Sequence, residues 1–275
     1  MNEFYIKPHN GKEMKLSDIT QHVELLSLDE NPAITNTYQS NPAQDGELWN
    51  YSTYNPTVVN CEFLLYFSTW QDYILAKHDV MRTFMQKGLF RIREEINSQL
   101  VRYVRTSSFT ISPDDKGSNW VTFTIPFDNP SGMKYSLYRS DEVDSNGLKV
   151  WSYGQNLTAN DCSYRFSDKS FRVYNPSDIP IDPYLGKHDL RIISKFSGSS
   201  LKITNTTNGT SWSYNKSSNG NETVLLNGIV TTVNGNPATV NTDYGHIVLN
   251  TGWNDIVVSG TNSNDITFSF PFIYI

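Results

Sequence analysis

The segment 227–275 decides the fold and reads NGIVTTVNGNPATVNTDYGHIVLNTGWNDIVVSGTNSNDITFSFPFIYI. Asn227-Gly228 and Asn234-Gly235 are dipeptides that favour the positive φ angles of tight hairpin turns. A strand with one buried face is predicted by apolar residues at every second position, namely Ile266, Phe268, Phe270 and Phe272. The segment therefore predicts a series of short strands joined by turns, with the last strand held inside a sheet.

The composition favours a β-rich structural protein. The chain has 275 residues, enough for one large or two ordinary domains. Charged residues make up 18%, below the usual share, while aromatic residues reach 13% and Asn, Ser and Thr are abundant. This mixture is typical of all-β extracellular or viral structural proteins. The net charge of −6, without a long basic run, argues against a nucleic-acid partner.

The N-terminal sequence MNEFYIKPHNGKEM lacks the apolar core of a signal peptide. No apolar run approaches the roughly 20 residues that a bilayer-spanning helix needs. We therefore expect a soluble protein with no encoded export signal and no membrane partner. Cys61 and Cys162 are expected to be free thiols, and a disulfide between them stays open as the alternative.

One convincing helix is predicted, from about Trp70 to Lys87. Thr69 with Asp72 three residues later is typical of a capping box, and Gly88 is typical of a helix stop. The apolar residues of this stretch are predicted to share one face: Trp70, Tyr73, Ile74, Val80, Met81, Phe84 and Met85. We expect that face to cover one side of a β-sandwich rather than to bind a cofactor.

The rest of the first half is predicted as strands around one irregular segment. Residues 29–56, rich in Asn, Pro and Ser, are predicted to be irregular, and a long stretch of that kind in a compact domain tends to make contacts. The predicted strands are Val58–Phe67, Leu89–Arg93, Leu100–Thr106, Phe109–Ser112 and Trp120–Phe127.

The second half is predicted to be a separate β domain. The polar stretch 139–165 is the expected linker, which divides the chain into a first domain at 1–138 and a second at 139–275. Beyond Phe166 the sequence predicts strands alone, beginning with Ser170–Tyr174, Asp189–Phe196, Leu201–Thr204, Thr210–Tyr214 and Glu222–Leu226. Many short strands with regular turns point to a jelly roll or sandwich. The predicted fold class is therefore mainly β, with one helix in the first domain.

Acidic pairs give no catalytic site. Adjacent residues of a strand point to opposite faces, so the neighbours in a pair cannot flank one glycosidic bond. The pairs are Glu94-Glu95, Asp114-Asp115 and Asp141-Glu142, and solvated surface charge is the favoured interpretation. A glycoside hydrolase stays open as a minor hypothesis, on condition that two distant carboxylates converge.

No metal or cofactor site is predicted. The residues Glu142-x-Asp144-x-Asn146-Gly147 imitate the start of a calcium loop, but Tyr153 stands where that loop requires a glutamate. The five histidines lack metal-like spacing, and no nucleophile elbow, phosphate loop or dinucleotide fingerprint is present. The sequence therefore gives no catalytic residue and predicts that the protein is not an enzyme.

Two sets of side chains are candidates for binding. Arg91 and Arg93 are predicted to share one strand face, and with Arg102 and Arg105 they form either a solvated hairpin or an inter-subunit ion-pair surface. Four aromatic residues of the second half are candidates for stacking on sugar rings or contacting a partner: Trp212, Tyr214, Tyr244 and Trp253. Such residues are more often core or turn anchors in a strand-rich domain.

Several motifs, taken in order, resemble one family. They are Gln44-Asp45-Gly46-Glu47, LFRIREEINSQLVRYVR after the helix, FTIPFDNPSGMKYS, FRVYNPSDIPIDP and the strand series that ends the chain. Their order and spacing together resemble the distal tail proteins of siphophages that infect Gram-positive bacteria. In that family the protein is the baseplate hub at the tip of a long non-contractile tail.

The resemblance implies two β domains with different roles. The N-terminal β-sandwich would form a homohexameric ring that continues the tail tube, and the C-terminal domain would be a galectin-like jelly roll. It also implies assembly in the host cytoplasm and a place in the virion tail tip. Expected partners are the major tail protein, a tail-associated lysin or fibre protein and, in some phages, a receptor-binding protein. The large carbohydrate-binding insertions of longer relatives are missing, and the turns 234–236 and 261–265 are expected to be loops that other baseplate proteins grip.

A cyclic ring needs two complementary patches on each subunit. We expect them in the segment 29–56 and in the hairpin 89–106, with opposite charges meeting across the contact. The candidate ring-interface residues are Asp45, Gly46, Arg91, Arg93, Arg102 and Arg105. The alternative function is a carbohydrate-binding module or adhesin that recognises cell-wall glycans.

Overall fold

Two units make up the chain in the computed structural model, which describes residues 3–20, 22–43, 45–113, 115, 117–142, 154–157 and 163–275. One unit comprises residues 1–134 with Ile275, and the other comprises residues 135–274. The boundary predicted at residue 138 stays a prediction. Much of the predicted linker, the calcium-like loop after Glu142, and Cys162 lie outside the described residues. No helix of the described part is long and apolar enough to cross a membrane.

The described part of the first unit contains nine strands and two helices. The strands are β1 (Phe4–Lys7), β2 (Met14–Lys15), β3 (Val23–Glu30), β4 (Ile34–Gln39), β5 (Leu48–Tyr54), β6 (Thr57–Tyr66), β7 (Phe90–Glu94), β8 (Leu100–Thr106) and β9 (Trp120–Asn129). The helices are α1 (Leu16–Ile19) and α2 (Trp70–Phe84). Seven strands are hydrogen-bonded in the order β2-β1-β7-β8-β9-β6-β3, and β4 pairs with β5 in a separate two-stranded sheet.

The core of the first unit lies between this sheet and α2. Strands β6 and β9 pair antiparallel along their whole length, from Thr57 opposite Asn129 to Tyr66 opposite Trp120. Inward side chains alternate with outward ones along both strands, as the period of a half-buried strand requires. Aromatic rings fill the centre of the core, with Phe63 at 5.8 Å from Phe84 between ring centroids. The strands predicted at 58–67 and 120–127 are confirmed.

Helix α2 begins where the capping motif predicts. Thr69 Oγ1 accepts a hydrogen bond from the Asp72 N–H at 3.2 Å, and Asp72 Oδ2 accepts one from the Thr69 N–H at 3.0 Å. The buried face is narrower than predicted and consists of Tyr73, Ala76, Val80 and Phe84. The prediction was wrong for Trp70, Ile74 and Met85, which are exposed, because the sheet covers a single line of side chains on the helix.

Two other predictions for the first unit need correction. Residues 29–56 are not irregular, because they contain the end of β3 and the whole of the β4–β5 hairpin. Residues 109–112 are not a strand. Ile111 is nevertheless buried, and its carbonyl accepts hydrogen bonds from Tyr73 Oη at 2.8 Å and Lys77 Nζ at 2.7 Å. Helix α2, rather than a neighbouring strand, therefore holds this segment in place.

The second unit is built around two long strands. Its strands are β10 (Lys134–Arg139), β11 (Arg165–Phe166), β12 (Ser170–Asn175), β13 (Arg191–Asn205), β14 (Ser211–Tyr214), β15 (Ser218–Asn219), β16 (Val224–Asn227), β17 (Val230–Val233), β18 (Asn236–Pro237), β19 (Gly252–Ser269) and β20 (Pro271–Tyr274). Strands β13 and β19 pair with each other along most of their length. The first part of β13 also pairs with β16 and its last part with β14, so both long strands run through two neighbouring regions of sheet.

The long strands correct two predictions. Strands were expected at 189–196 and 201–204 with a break between them, and a loop was expected at 261–265, yet β13 and β19 continue through these positions. The pairing register shifts at Gly198, where φ is +151°. A Cβ at Gly198 would lie 2.6 Å from the Gly260 carbonyl oxygen. The two strands therefore bend through a bulge, where the sequence suggests a turn.

The segment 227–275 follows its prediction at the second hairpin turn and at its end, whereas the first predicted turn lies at Gly228 and Ile229, because Asn227 pairs with Val230. Asn234 and Gly235 both have positive φ, at 46° and 82°, and form the two-residue turn between β17 and β18. The predicted buried face of Ile266, Phe268, Phe270 and Phe272 is confirmed, since none of these side chains is more than 1% exposed. The final strand β20 pairs with β10 inside a sheet. The mainly-β fold class is confirmed, and the galectin-like character of the second unit stays a prediction.

Candidate assembly surface

The β4–β5 hairpin, with its flanking residues 31–33 and 55–56, is the most exposed element of the first unit and is called the arm below. Every residue of β5 is exposed, and every residue of β4 except the half-buried Thr37 is exposed. Within the described part of the chain, β4 and β5 pair with each other alone. A two-stranded hairpin of this kind is marginally stable by itself in water. Its large side chains therefore lack the cover that a sheet normally receives.

One face of the arm is apolar. The register sets Ile34 opposite Tyr54 and Tyr38 opposite Trp49, and directly opposed residues point to the same side of a sheet. The exposed fractions are 53% for Ile34, 52% for Tyr38, 62% for Trp49 and 41% for Tyr54. These four side chains form the aromatic face of the arm. Contiguous apolar surface of this kind marks sites of protein interaction.

Polar groups on the same face are satisfied inside the arm. Trp49 Nε1 donates to Ser52 Oγ at 3.0 Å, and Ser52 Oγ donates to Asn36 Oδ1 at 2.5 Å. These bonds hold the indole ring against β5 and satisfy its one hydrogen-bond donor. A partner that covers the ring therefore does not have to replace a hydrogen bond to water.

The base of the arm is fixed by a buried polar cluster, which is called the root anchor below. Glu30, the last residue of β3, accepts hydrogen bonds from Arg102 Nε at 2.6 Å, Thr57 Oγ1 at 2.7 Å and Asn129 Nδ2 at 3.0 Å. The cluster thus joins β3, β6, β8 and β9 at the point where the arm begins and ends. Immediately above it, the Asn55 N–H donates to the Ala33 carbonyl at 2.9 Å.

The Glu30 carboxyl group is held in its charged form. Burial by itself raises the pKa of this carboxyl, but the Arg102 charge and the hydrogen bonds from Arg102, Thr57 and Asn129 outweigh that effect. The pKa of Glu30 therefore lies below its ordinary value. The root anchor is an ion pair at neutral pH, with both partners removed from water.

A second surface of the first unit carries positive charge. On β1, β7 and β8 the inward positions are apolar except for Arg102, and the outward positions include Tyr5, Lys7, Arg91, Arg93, Tyr103 and Arg105. The ladder sets Lys7 opposite Arg91, and Arg91 opposite Tyr103, so these three side chains form a row across the sheet. This outward side of β1, β7 and β8 is called the cationic face below.

Glu13 is the main acidic residue bound to the cationic face. Glu13 Oε1 lies 2.8 Å from Arg91 Nη2, and Glu13 Oε2 lies 2.7 Å from Arg93 Nη2. Arg93 also stacks on the Tyr5 ring, with its guanidinium carbon 3.7 Å from the ring centroid. Burial raises the pKa of Glu13, but the hydrogen bonds and charges of the two arginines outweigh it and hold the pKa below its ordinary value.

The predicted ring-interface residues separate into two groups. Arg91, Arg93 and Arg102 are already paired within the chain, to Glu13 and Glu30. Arg102 is also buried, so a neighbouring subunit cannot reach it, which corrects the hypothesis for this residue, while a role of Arg91 and Arg93 in a ring stays a prediction. The remaining candidates, Asp45, Gly46 and Arg105, are exposed, and their role in a ring stays a prediction.

The predicted glycan-contact residues do not form one surface. Trp212 and Tyr214 are buried, at 1% and 5% exposure, so the expectation that they stack on sugars is corrected. Tyr244 is exposed, and Trp253 is partly covered by the Arg172 guanidinium, whose carbon lies 4.4 Å from the Trp253 ring centroid. Buried and exposed aromatic residues cannot be separated from the sequence here, because both kinds lie on short strands or in the turns between them.

Other chemistry finds no support in the described residues. They contain no group of three or more His, Cys, Asp or Glu side chains that could hold a metal ion. Cys61 is buried, and that burial raises the pKa of its thiol, which keeps the sulfur protonated and unreactive. Sequence reasoning missed Glu13 and Glu30, since nothing in their local sequence marks them as partners of distant arginines.

The comparisons with known proteins give a match to one family and similarities in fold. Residues 9–129 match the family described as phage tail protein RIFT-related domain. The whole chain is similar in fold to the Dit protein of phage SPP1, described as a paradigm of the hub adsorption apparatus in phages that infect Gram-positive bacteria. That likeness has a TM-score of 0.69 at 10% identity and covers 98% of this chain and 99% of the Dit chain.

Weaker likenesses come from a second phage. Two structures of the phage p2 baseplate in its activated conformation, one with strontium and one with calcium, each give a TM-score of 0.48 at 11% identity, with 98% of both chains covered. No curated protein matches the chain.

Proposed function

We propose that the chain is a siphophage tail protein and a structural component of the baseplate, which is supported by the family match over residues 9–129 and by the similarity in fold to the SPP1 Dit protein. In this proposal six copies assemble through their arms into a homohexameric ring at the end of the tail tube. In this proposal the protein resides in the virion tail.

The aromatic face of the arm is the observation that carries the proposal. Four large apolar side chains stand on one side of a hairpin that pairs with no other strand of the described chain. Such a face is costly in water and becomes favourable when a partner covers it. The root anchor fixes the base of the arm to the first unit. A partner that binds the arm is therefore also held in a defined position relative to the first unit.

A ring also needs a second, different patch, because a closed cyclic contact is head-to-tail. The cationic face meets that requirement. Between Lys15 and Lys77 the sequence contains no lysine or arginine. The charged residues of the arm are therefore all acidic. Arm and cationic face thus differ in charge as well as in shape, which favours contact between unlike patches over contact between like ones.

The proposal extends to neighbours in the tail. A ring has two sides, and we expect the major tail protein on one and a tail-associated lysin or fibre protein on the other. The second unit is expected at the periphery, available to a receptor-binding protein. Assembly by surface contact requires no nucleophile, general base or metal, and we propose that the protein is not an enzyme.

Mass photometry and negative-stain microscopy of the purified chain test the proposal. We expect rings of six copies that dissociate on dilution. In a matched variant, residues 34–54 are replaced by a short Gly-Ser link, which the adjacent Ala33 and Asn55 permit. That variant is expected to stay monomeric with unchanged thermal unfolding. A wild-type chain that stays monomeric at every concentration, or a ring that persists without the arm, would contradict the proposal.

A further inference from the structure

A groove of about 340 Å³ opens on the cationic face where β1, β7 and β8 lie side by side. It is lined by Lys7, Pro8, His9, Leu89, Arg91 and Tyr103, with Phe90 at its floor. Leu89 and Tyr103 are 38% and 42% exposed, so the groove offers apolar surface to water. Because polar and apolar side chains line the groove together, it is better suited to bind a segment of protein chain than a small ion.

The charge of the groove is positive. Lys7 and His9 are exposed, and neither belongs to an ion pair among the described residues. Arg91 contributes a second cationic group beside Lys7, although one side of its guanidinium is bound by Glu13. An occupant with carboxylates beside apolar side chains would therefore complement the groove.

The arm tip, residues 40–43 and 45–48, has that chemistry. Asp45 and Glu47 are exposed and are separated by one residue. The apolar residues Leu48 and Trp49 come directly after them. Glu47 Oε1 accepts a hydrogen bond from Ser40 Oγ at 3.0 Å, which leaves its other oxygen available. Positive φ angles at Ala43 and Gly46 turn the chain tightly at this end of the hairpin.

The occupant must come from another copy. In the sheet order, β9 lies between β6, at the base of the arm, and β8, at the near edge of the groove, which sets them about 10 Å apart at the usual strand spacing. All of β5 is exposed, so the arm does not lie in the groove of its own chain. A second copy carries the same arm and can supply the occupant.

We propose that the groove receives the arm tip of the neighbouring copy, with Asp45 and Glu47 facing Lys7 and His9. Trp49 then contacts Leu89 and Tyr103, and the aromatic face continues along the neighbour's sheet. This inference rests on the proposed self-assembly and names the surface that receives the arm. Because arm and groove are different patches, repetition of the contact closes a ring instead of stopping at a dimer.

Charge exchange tests the contact in the full-length chain. The groove variant carries Lys7→Glu and His9→Glu, and the arm variant carries Asp45→Lys and Glu47→Lys. The matched control is Lys169→Glu, an exposed lysine of the second unit. The readout is the protein concentration at half-assembly, followed by mass photometry at low salt. Each charge-reversed variant is expected to raise that concentration at least about fivefold, and the control is expected to leave it unchanged.

Rescue separates a lost contact from a lost fold. A one-to-one mixture of the two variants is expected to assemble again, because reversed arms fit reversed grooves and native arms fit native grooves around an alternating ring. A chain with all four substitutions is expected to assemble alone.

Three outcomes are decisive. Assembly of the groove variant at the wild-type concentration, or failure of the mixture and of the fourfold variant to assemble, overturns the groove while leaving arm-dependent assembly intact. A wild-type chain that never assembles overturns the proposed function itself.

Discussion

Glu30 and Arg102 form an ion pair that is almost fully buried at the base of the arm, with Oε2 and Nε 2.6 Å apart and side-chain exposures of 4% and 9%. Removing two charges from water is expensive, so such a pair adds little net stability compared with an apolar core. Its value here is geometric. It ties the last residue before the arm to a strand at the centre of the sheet, and thereby fixes the direction in which the arm leaves the first unit.

Breaking this pair is predicted to be costly. Glu30→Gln keeps the shape of the side chain but leaves the Arg102 charge buried without a counter-charge. We expect the free energy of unfolding to fall by about 3 kcal/mol or more, as measured by urea denaturation. The matched control is Glu24→Gln on the same strand, a half-exposed residue for which a change of less than about 0.5 kcal/mol is expected. Equal effects of the two substitutions would count against the root anchor.

Stability is predicted to depend on pH through Glu13. The folded-state pKa of this carboxyl lies below its ordinary value of 4.5, so its contribution to stability is present above that value and is lost as the pH falls through the folded-state pKa. The difference in unfolding free energy between wild type and Glu13→Gln should therefore be largest near about pH 7 and shrink towards about pH 3. Urea denaturation across this range measures it. A difference that stays constant with pH would show that the carboxylate charge is not involved.

Local signals were enough to predict the start of α2 and the turn between β17 and β18. The capping box of Thr69 and Asp72 needs residues three apart, and the turn at Asn234-Gly235 needs two adjacent residues with positive φ. Strands β6 and β9 were predictable for a related reason. Each has one buried face, so its apolar residues alternate along the sequence.

The arm was not predictable as a hairpin. Alternation of apolar and polar residues marks a strand with one buried face, and the arm has no buried face in a single chain. Its strongest apolar residues, such as Tyr38 and Trp49, lie among Asn, Ser and Thr that are equally exposed. The candidate site was hard to predict for another reason. Arg91 and Arg102 find their acidic partners 78 and 72 residues away, and such pairing depends on the sheet order rather than on spacing.

The bend in β13 and β19 shows a third limit. The run from Gly260 to Asn264 has the composition of a loop, yet its residues continue β19 opposite β13. A glycine in a strand is compatible with a turn and with a bulge where two backbones approach closely. Pairing with β13 determines that a bulge forms here instead of a turn. The local sequence does not contain β13, so it cannot distinguish the two.

The aromatic face of the arm is predicted to supply much of the binding energy of the ring. Trp49→Ala removes its most exposed side chain, so unfolding should be almost unchanged while the concentration at half-assembly should rise about thirtyfold. Mass photometry measures the assembly, and thermal unfolding at low concentration checks the fold. The control is Tyr184→Ala, an aromatic residue of the second unit with 59% exposure. Similar assembly of both variants and the wild type would remove the aromatic face from the contact.

The bend in the second unit is predicted to require glycine at position 198. An alanine there would place its Cβ 2.6 Å from the Gly260 oxygen and 2.8 Å from the Thr261 Cα, at a φ of +151° that other residues rarely adopt. We expect Gly198→Ala to lower the free energy of unfolding of the second unit by about 3 kcal/mol. Gly209→Ala is the matched control, since its φ of +77° is also positive but no atom lies within 4 Å of the new Cβ. Backbone strain alone should limit its cost to about 1 kcal/mol. Urea denaturation monitored by near-ultraviolet circular dichroism compares the two, and equal losses would show that the close approach of β13 to β19 does not constrain the bend.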